Sequence, residues 1–481
     1  MPDRPPRPHA VGLFLAGAAV AAVVMDLSAT HRGHHGDSMI PVLASLYGWE
    51  PFFWMTDRNG LLLGLLATPV HNPLANLLVQ FGLSVFAGVA ALGLVARYHN
   101  PAAVWPAVGA GAWALLLFAG GEYERFNMLN PCQPYAVSLF LAAAGLLLAG
   151  SGRWWGWLAA VALFCGVGWV NLGLGMNLGP WLVARRLLAG VGTAATVRGL
   201  LLLTLGTGVG LGLQRLSDHH DTHFGFVAVE KWQEGWAGLA KDVREHYESN
   251  LHATAALLVV GLAWRLLPAT RTAARPALRD ALAALAAFAL TFAFVGTTQW
   301  AAQNAYSSRY VFPSIFLLNV AACGAALGPP LSRLAGARPR AVAVGAAALM
   351  TLMTLAVYGW PSLAAARAAV DESTGRYTAD VLEMRCTHIS GEYWDVWPAV
   401  FHANLARYER GEEGTVWGLA FRAAPTQKKW SAVPPADVRI GWLVREGASG
   451  PPGETAPWWL SHYPKHHEAR RTPRVVLLVA P

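Results

Sequence analysis

The residues best suited to chemistry lie close together near the start of the chain. From His34 to Gly60 the sequence reads HHGDSMIPVLASLYGWEPFFWMTDRNG, which sets His34, His35, Asp37, Glu50, Asp57 and Arg58 among large aromatic side chains. A carboxylate in such surroundings can take the proton of an attacking hydroxyl, so Asp37 is the candidate general base. His34 and His35 beside it are candidate substrate-binding residues. The competing reading makes HGDS a turn, with the Asp37 side chain capping a helix that starts near Ser38. Asp57 and Arg58 either orient a substrate or pair with each other at a loop-to-helix junction, where exposed ion pairs are common and weak.

Further polar groups interrupt an otherwise apolar chain. In GEYER (121–125), Glu122 and Glu124 either supply a second acid or hold Arg125 in place; acids at the edge of an apolar segment are functional candidates by default. In QNAYSSRY (303–310), Tyr306, Arg309 and Tyr310 are candidate substrate-binding residues. A guanidinium such as Arg309 binds phosphate bidentately and keeps its charge in a poorly solvated site. The run DHHDTH (218–223) places His219 and His223 four apart, the spacing of a helical zinc pair. It has no glutamate in the base position, and the simpler reading is a polar cap on the helix that follows. No motif demands a cofactor, and a divalent metal stays open only at that run. In GEYWDVWPAVFHAN (391–404), the rings of Tyr393, Trp394 and Trp397 beside Asp395 are read as the core of a small domain, with stacking on a sugar as the alternative.

The scaffold that must position these groups is apolar and long. Of 481 residues, 54% are hydrophobic and 13% charged, where soluble proteins carry about a quarter charged. The net charge of +8 does not point to nucleic acid, because the Arg residues sit in short spacers and form no single basic face. A membrane span needs about 20 apolar residues. Segments near 10–29, 74–96, 103–120, 135–150, 154–170, 178–196, 199–214, 252–268, 280–299, 310–327 and 341–358 approach that length. The expected fold is therefore an all-α polytopic membrane protein of about 11 transmembrane helices with a small C-terminal extracytoplasmic α/β domain.

Lys and Arg concentrate in alternate spacers, which places the N-terminus in the cytoplasm and the C-terminal tail outside. The transmembrane domain is expected over 1–359, with a catalytic first external loop at 30–73 and an amphipathic external segment at 215–250. In that segment Val229, Trp232, Trp236 and Leu239 follow helical spacing, as a helix either lying on the bilayer or packed on neighbouring loops. Trp49, Phe52, Phe53 and Trp54 read as an interfacial helix anchoring the first loop. The stretch 171–198 is too Gly-rich and too charged for a clean span and reads as a broken or re-entrant pair. From 360 to 481 a helix is expected over Ala364–Met384, with strands at 415–421, 439–444 and 474–480. Cys132 and Cys386 fall in regions read as external and pair only if they meet, while Cys165 and Cys323 read as core residues.

An acidic residue soon after the first span, many further spans, a late external element Arg309-Tyr310-Val311-Phe312-Pro313 and a soluble tail together resemble the GT-C glycosyltransferases. That superfamily includes the protein O-mannosyltransferases and the bacterial transferase that adds aminoarabinose to lipid A. The resemblance covers most of the chain as architecture and rests on Asp37 and the Arg309 element as motifs. It implies an inverting transferase, acting by a single displacement, that moves a sugar from a polyprenyl-phosphate-linked donor in the lipid bilayer to an extracytoplasmic glycan, lipid or protein acceptor. It also implies residence in a bacterial inner membrane. The family pattern often shows two adjacent acids in the first loop, whereas Asp37 is followed by Ser38. The rival readings are an O-antigen ligase or polymerase consuming a polyprenyl diphosphate glycan, and a transporter or flippase, which calls for a repeated half and charges along the spans.

Overall fold

The computed structural model describes residues 8–28, 35–56, 59–99, 103–217, 225–444 and 467–479. The first half of the chain forms helices α1 (Pro8–Asp26), α2 (Gly36–Tyr47), α3 (Leu62–Ala67), α4 (Pro73–His99), α5 (Trp105–Phe118), α6 (Glu122–Leu129), α7 (Tyr135–Ala149), α8 (Trp154–Val170), α9 (Gly175–Ala184) and α10 (Thr193–Gln214). The second half forms α11 (Trp232–Leu266), α12 (Arg271–Val295), α13 (Gln299–Gln303), α14 (Phe312–Ala337), α15 (Pro339–Tyr358), α16 (Leu363–Thr374), α17 (Thr378–Glu383), α18 (Tyr393–Glu409) and α19 (Gln427–Trp430). The chain divides into two compact units, one of Met1–Met25, Asp57–Gly60 and Leu83–Gly359, the other of Asp26–Thr56, Leu61–Gly82 and Trp360–Pro481.

Among the described residues, α1, α4, α10, α12, α14 and α15 are long and apolar enough to cross a membrane. A seventh candidate is α8 with Leu172–Ala189, a pair bent by 109°. The chain is thus an integral membrane protein, but fewer helices pass this test than the about 11 segments expected. The difference has a geometric cause. At 14 and 15 residues, α5 and α7 are roughly 21–23 Å long at 1.5 Å per residue, short of about 30 Å of hydrocarbon. From Trp232 onward, the amphipathic stretch and the segment at 252–268 form one unbroken helix, α11, of 35 residues. Its first part buries Leu239, Val243 and Tyr247, and its second part leaves Val259, Val260, Leu262 and Leu266 exposed, as suits contact with lipid.

Within the helical unit, close packing relies on small residues. A Cβ on Gly168 of α8 would stand 1.7 Å from the Gly206 carbonyl of α10, so the two backbones touch and only glycine fits. Of the two charged residues in the middle of 171–198, Arg186 is exposed while Arg185 is buried and paired. Arg185, 5% exposed, lies in a π-helical turn, Arg185–Ala189, and meets Asp280 of α12 at 2.9 Å. Its guanidinium also sits 4.7 Å from the Tyr98 ring centroid and 5.2 Å from that of Trp181. An Arg and an Asp that would be costly alone in an apolar bundle thereby neutralise each other.

The other unit carries a five-stranded sheet built from β1 (His388–Ser390), β2 (Trp417–Leu419), β3 (Arg439–Leu443), β4 (His467–Arg471) and β5 (Val475–Val479), in the order β2-β1-β3-β5-β4. β1 is parallel to β2 and β3, whereas β5 is antiparallel to β3 and β4. Leu419, Trp430, Val438, Ile440, Val476 and Leu478 form a buried cluster on it. The single helix expected over Ala364–Met384 is two, α16 and α17. Gly375 ends the first, where a Cβ would stand 2.5 Å from the Asp371 carbonyl and 3.1 Å from the His402 ring. His402 then ties the pieces together, with Nε2 2.6 Å from Asp371 Oδ1 and Nδ1 2.8 Å from Thr378 Oγ1. The Asp371 carboxyl is held below its ordinary pKa: burial opposes its charge, but hydrogen bonds from His402 and Arg367 outweigh that. All four cysteines are free thiols.

Candidate functional site

Asp37 lies in the first turn of α2, a helix that starts one residue before it. His35 is the N-cap, and its backbone N–H donates to Ser38 Oγ at 3.5 Å. Asp37 is thus not the cap that the competing reading makes it, and its carboxylate is turned toward α18. There the Tyr393 hydroxyl donates a hydrogen bond to Asp37 Oδ1. Pro41, inside α2, has no N–H to return to the Asp37 carbonyl, which loosens the first turn. Negative charge at a helix N-terminus is favoured by the exposed N–H groups. Asp37 remains partly exposed.

The surroundings of Asp37 are aromatic. A Cβ on Gly36 would meet the Trp394 ring at 3.2 Å and the Tyr393 carbonyl at 3.3 Å, so glycine lets the two helix starts approach. His35 presents its ring edge-on to Trp394 at 5.7 Å. Burial lowers its pKa and the nearby Asp37 charge offsets this only partly, so the ring is neutral at physiological pH. Trp394 is 47% exposed while Trp397 is 1% exposed; of the aromatic stretch at 391–404, one ring faces outward and another is core. Phe52, Phe53 and Trp54 do not form the expected interfacial helix. They are buried in this unit, with Trp54 edge-on to Trp397 at 5.6 Å and its Nε1 donating to the Gly48 carbonyl at 3.3 Å.

In the helical unit the Arg309 element stands at the entry to α14, which Pro313 helps to start. Asn177 of α9 fixes it: Nδ2 donates to the Tyr310 carbonyl at 3.3 Å, and Oδ1 accepts from the Ser314 N–H at 3.2 Å and the Ser314 hydroxyl at 2.8 Å. Arg309 Nη2 donates to Asn304 Oδ1 and to the Tyr310 hydroxyl, both at 2.9 Å. These acceptors are neutral, and no carboxylate pairs with Arg309 among the described residues. Ala305 and Tyr306 both adopt left-handed backbone, φ 52° and 54°. The Tyr306 ring packs on Gly235 and Gly238 of α11, which anchors this sharp turn.

Next to that element, α11 contributes a polar stripe. Asp242 Oδ2 accepts from the Ser308 N–H at 2.6 Å and its Oδ1 lies 3.5 Å from His246 Nε2. His246 stacks on Tyr123 at 4.0 Å, and Tyr123 shares a 2.8 Å hydrogen bond with Ser307. Glu124 points inward, 1% exposed. Its Oε1 accepts from Asn250 at 2.8 Å while Oε2 is buried with no hydrogen-bond partner among the described residues. Burial pushes its pKa up to about 8, against the smaller opposing effects of Arg125 and Asn250. Glu122 is exposed. Arg125 donates to the carbonyls of Leu117 and Gly120, at 3.2 and 2.7 Å, and so caps the end of α5.

The structure thus gathers His35 and Asp37 in one unit, and Glu124, Tyr306, Arg309 and Tyr310 in the other. His34, Asp57, Arg58 and the His219, His220 and His223 run lie outside the described residues. Among the described residues no group of three or more His, Cys, Asp or Glu side chains is arranged to hold a metal ion. Sequence reasoning missed Arg422, and it named Asp242, His246 and Asn250 in no role. The last three recur every four residues beside the apolar stripe of α11, a periodicity that was there to be read. Arg422 has little local signal: Phe421 is its neighbour, but Phe53, Trp54 and Tyr393 lie far away in the chain.

No family model matches the chain, and no curated protein does. Among solved structures, the chain is similar to ArnT from Cupriavidus metallidurans, in its crystal structure bound to undecaprenyl phosphate. The match covers 98% of this chain and 99% of that one, at 14% identity and a TM-score of 0.48. A likeness this low assigns no activity.

Proposed function

We propose that the protein is a membrane glycosyltransferase of GT-C type, which moves a sugar from a polyprenyl-phosphate-linked donor to an extracytoplasmic glycan, lipid or protein acceptor with inversion. In this reading Asp37 takes the proton of the acceptor hydroxyl as its oxygen attacks the anomeric carbon. The bond from that carbon to the phosphate oxygen breaks, and Arg309 holds the negative charge that stays on the polyprenyl phosphate. The N-terminus is cytoplasmic and the transfer takes place at the outer face of a bacterial inner membrane, a reading that the Lys and Arg bias supports.

The observation that supports this most is the state of Arg309. Among the described residues, this partly buried guanidinium meets only a side-chain amide and a phenol, and a phosphate would supply the counter-charge. The test is binding of a polyprenyl phosphate and of the corresponding neutral polyprenol to the full chain in detergent, followed by tryptophan fluorescence. Arg309→Gln should weaken the phosphate by roughly 10- to 100-fold, the range of a lost charged hydrogen bond, and leave the alcohol unchanged. Equal affinity of the variant and the wild type for the phosphate would remove Arg309 from this role.

A further inference from the structure

The unit that holds Asp37 also holds a cation that the proposed chemistry does not use. Arg422 follows β2 with φ 77°, a left-handed conformation that long side chains rarely adopt and that persists only where the surroundings enforce it. Its guanidinium carbon lies 4.7 Å from the Phe53 ring centroid, 5.2 Å from that of Phe421 and 6.0 Å from that of Tyr393. Nη1 donates to the Trp54 carbonyl at 2.7 Å, whereas Nε is buried with no acceptor among the described residues. A strained backbone and a buried donor left unsatisfied are costs, and what they secure is a cation against the one tyrosine that donates to Asp37.

We infer that Tyr393 and Arg422 are positioning residues for Asp37: the Tyr393 hydroxyl fixes the carboxylate in one rotamer, and Arg422 fixes the Tyr393 ring. The inference rests on the reading of Asp37 as the base. The chemistry is a matter of placement. An Asp in the loosened first turn of α2, with Pro41 behind it, has rotamers to lose. A hydrogen bond from the first residue of α18 selects one. The ring in turn lies between Trp394, edge-on at 4.9 Å, and Phe421 at 6.1 Å, with the guanidinium over its face. A cation over a phenol also strengthens the phenol as a donor.

The experiment uses the full chain in membranes, offered radiolabelled polyprenyl-phosphate mannose, glucose and arabinose, with kcat and KM measured on whichever is consumed. Tyr393→Phe keeps the ring and removes the hydroxyl. It should lower kcat roughly 10- to 100-fold, the cost of a base misplaced by about an ångström, with KM within about twofold and the melting temperature unchanged. Arg422→Gln should do the same, Arg422→Lys should restore part of kcat, and the Tyr393→Phe/Arg422→Gln double variant should be no worse than the worse single one. Full kcat in Tyr393→Phe, or losses that multiply in the double variant, overturns the inference. Asp37→Asn, assayed alongside, separates the two claims: an active Asp37→Asn sinks the underlying reading, while an inactive Asp37→Asn with a fully active Tyr393→Phe sinks only the positioning role. Consumption of none of the donors by the wild type also counts against the underlying reading.

Discussion

Glu124 makes the pH dependence of the helical unit a quantitative test. Its carboxyl is 1% exposed and has one oxygen without a partner among the described residues, and burial raises its pKa from 4.5 to about 8. The sign follows from proton counting. Between those values the folded chain keeps the proton and the unfolded chain has lost it, so folding is favoured by acid and the folded state loses stability as pH rises from about 4.5 to about 8. The slope cannot exceed about 1.4 kcal/mol per pH unit for one group, so a few kcal/mol is the upper bound across the window. Glu124→Gln keeps the shape and an oxygen for Asn250, yet has no charge to desolvate. In a thermal melt followed by tryptophan fluorescence in detergent, the wild type should lose several degrees between pH 5 and pH 8, at roughly 2 °C per kcal/mol. The variant should be flatter and melt higher at pH 8. Parallel curves for the two proteins would show that the Glu124 carboxyl is ionised in the folded state and that the buried Asn250 pairing has been misread.

Two further outcomes follow from packing. Asn177→Ala removes the donor to the Tyr310 carbonyl and the acceptor for Ser314, at a cost of about 1–3 kcal/mol for buried groups left unpaired; a lower melting temperature with weaker polyprenyl phosphate binding is expected, and unchanged binding would detach α9 from the Arg309 element. Gly168→Ala places a methyl 1.7 Å from the Gly206 carbonyl, so α8 and α10 must separate; a variant that expresses and melts like the wild type would contradict the close crossing of those helices.

Much of the helical unit was readable because composition and apolar length carry it. The aromatic and charged details were not. Trp49–Trp54 has the composition of an interfacial helix, yet Phe52, Phe53 and Trp54 are buried, because packing against α18 and the Arg422 turn outweighs any local helical tendency. The span at 252–268 was legible, but its fusion with the amphipathic stretch into α11 was passed over: no Gly or Pro punctuates Glu245–Ala255, and only the polarity change suggested a boundary. Strand β4, HEARR, is exposed throughout and carries no apolar pattern to find. For the candidate site, residue type, place between the apolar segments and the resemblance to the GT-C glycosyltransferases marked Asp37 and Arg309. The partners that orient them, Tyr393 at 356 positions away from Asp37 and Asn177 at 133 from Tyr310, are long-range contacts to which local periodicity is blind.

The central claim is that Asp37 takes the acceptor proton in a sugar transfer. The direct measurement is transfer of label from polyprenyl-phosphate sugars to membrane lipid, glycan and protein by the wild type and by Asp37→Asn. Asn keeps an oxygen to accept from Tyr393 but cannot take the proton, so the account predicts a correctly folded variant with transfer reduced by roughly 100-fold or more. Transfer by Asp37→Asn at the wild-type rate, or no transfer by the wild type from any donor, would contradict it.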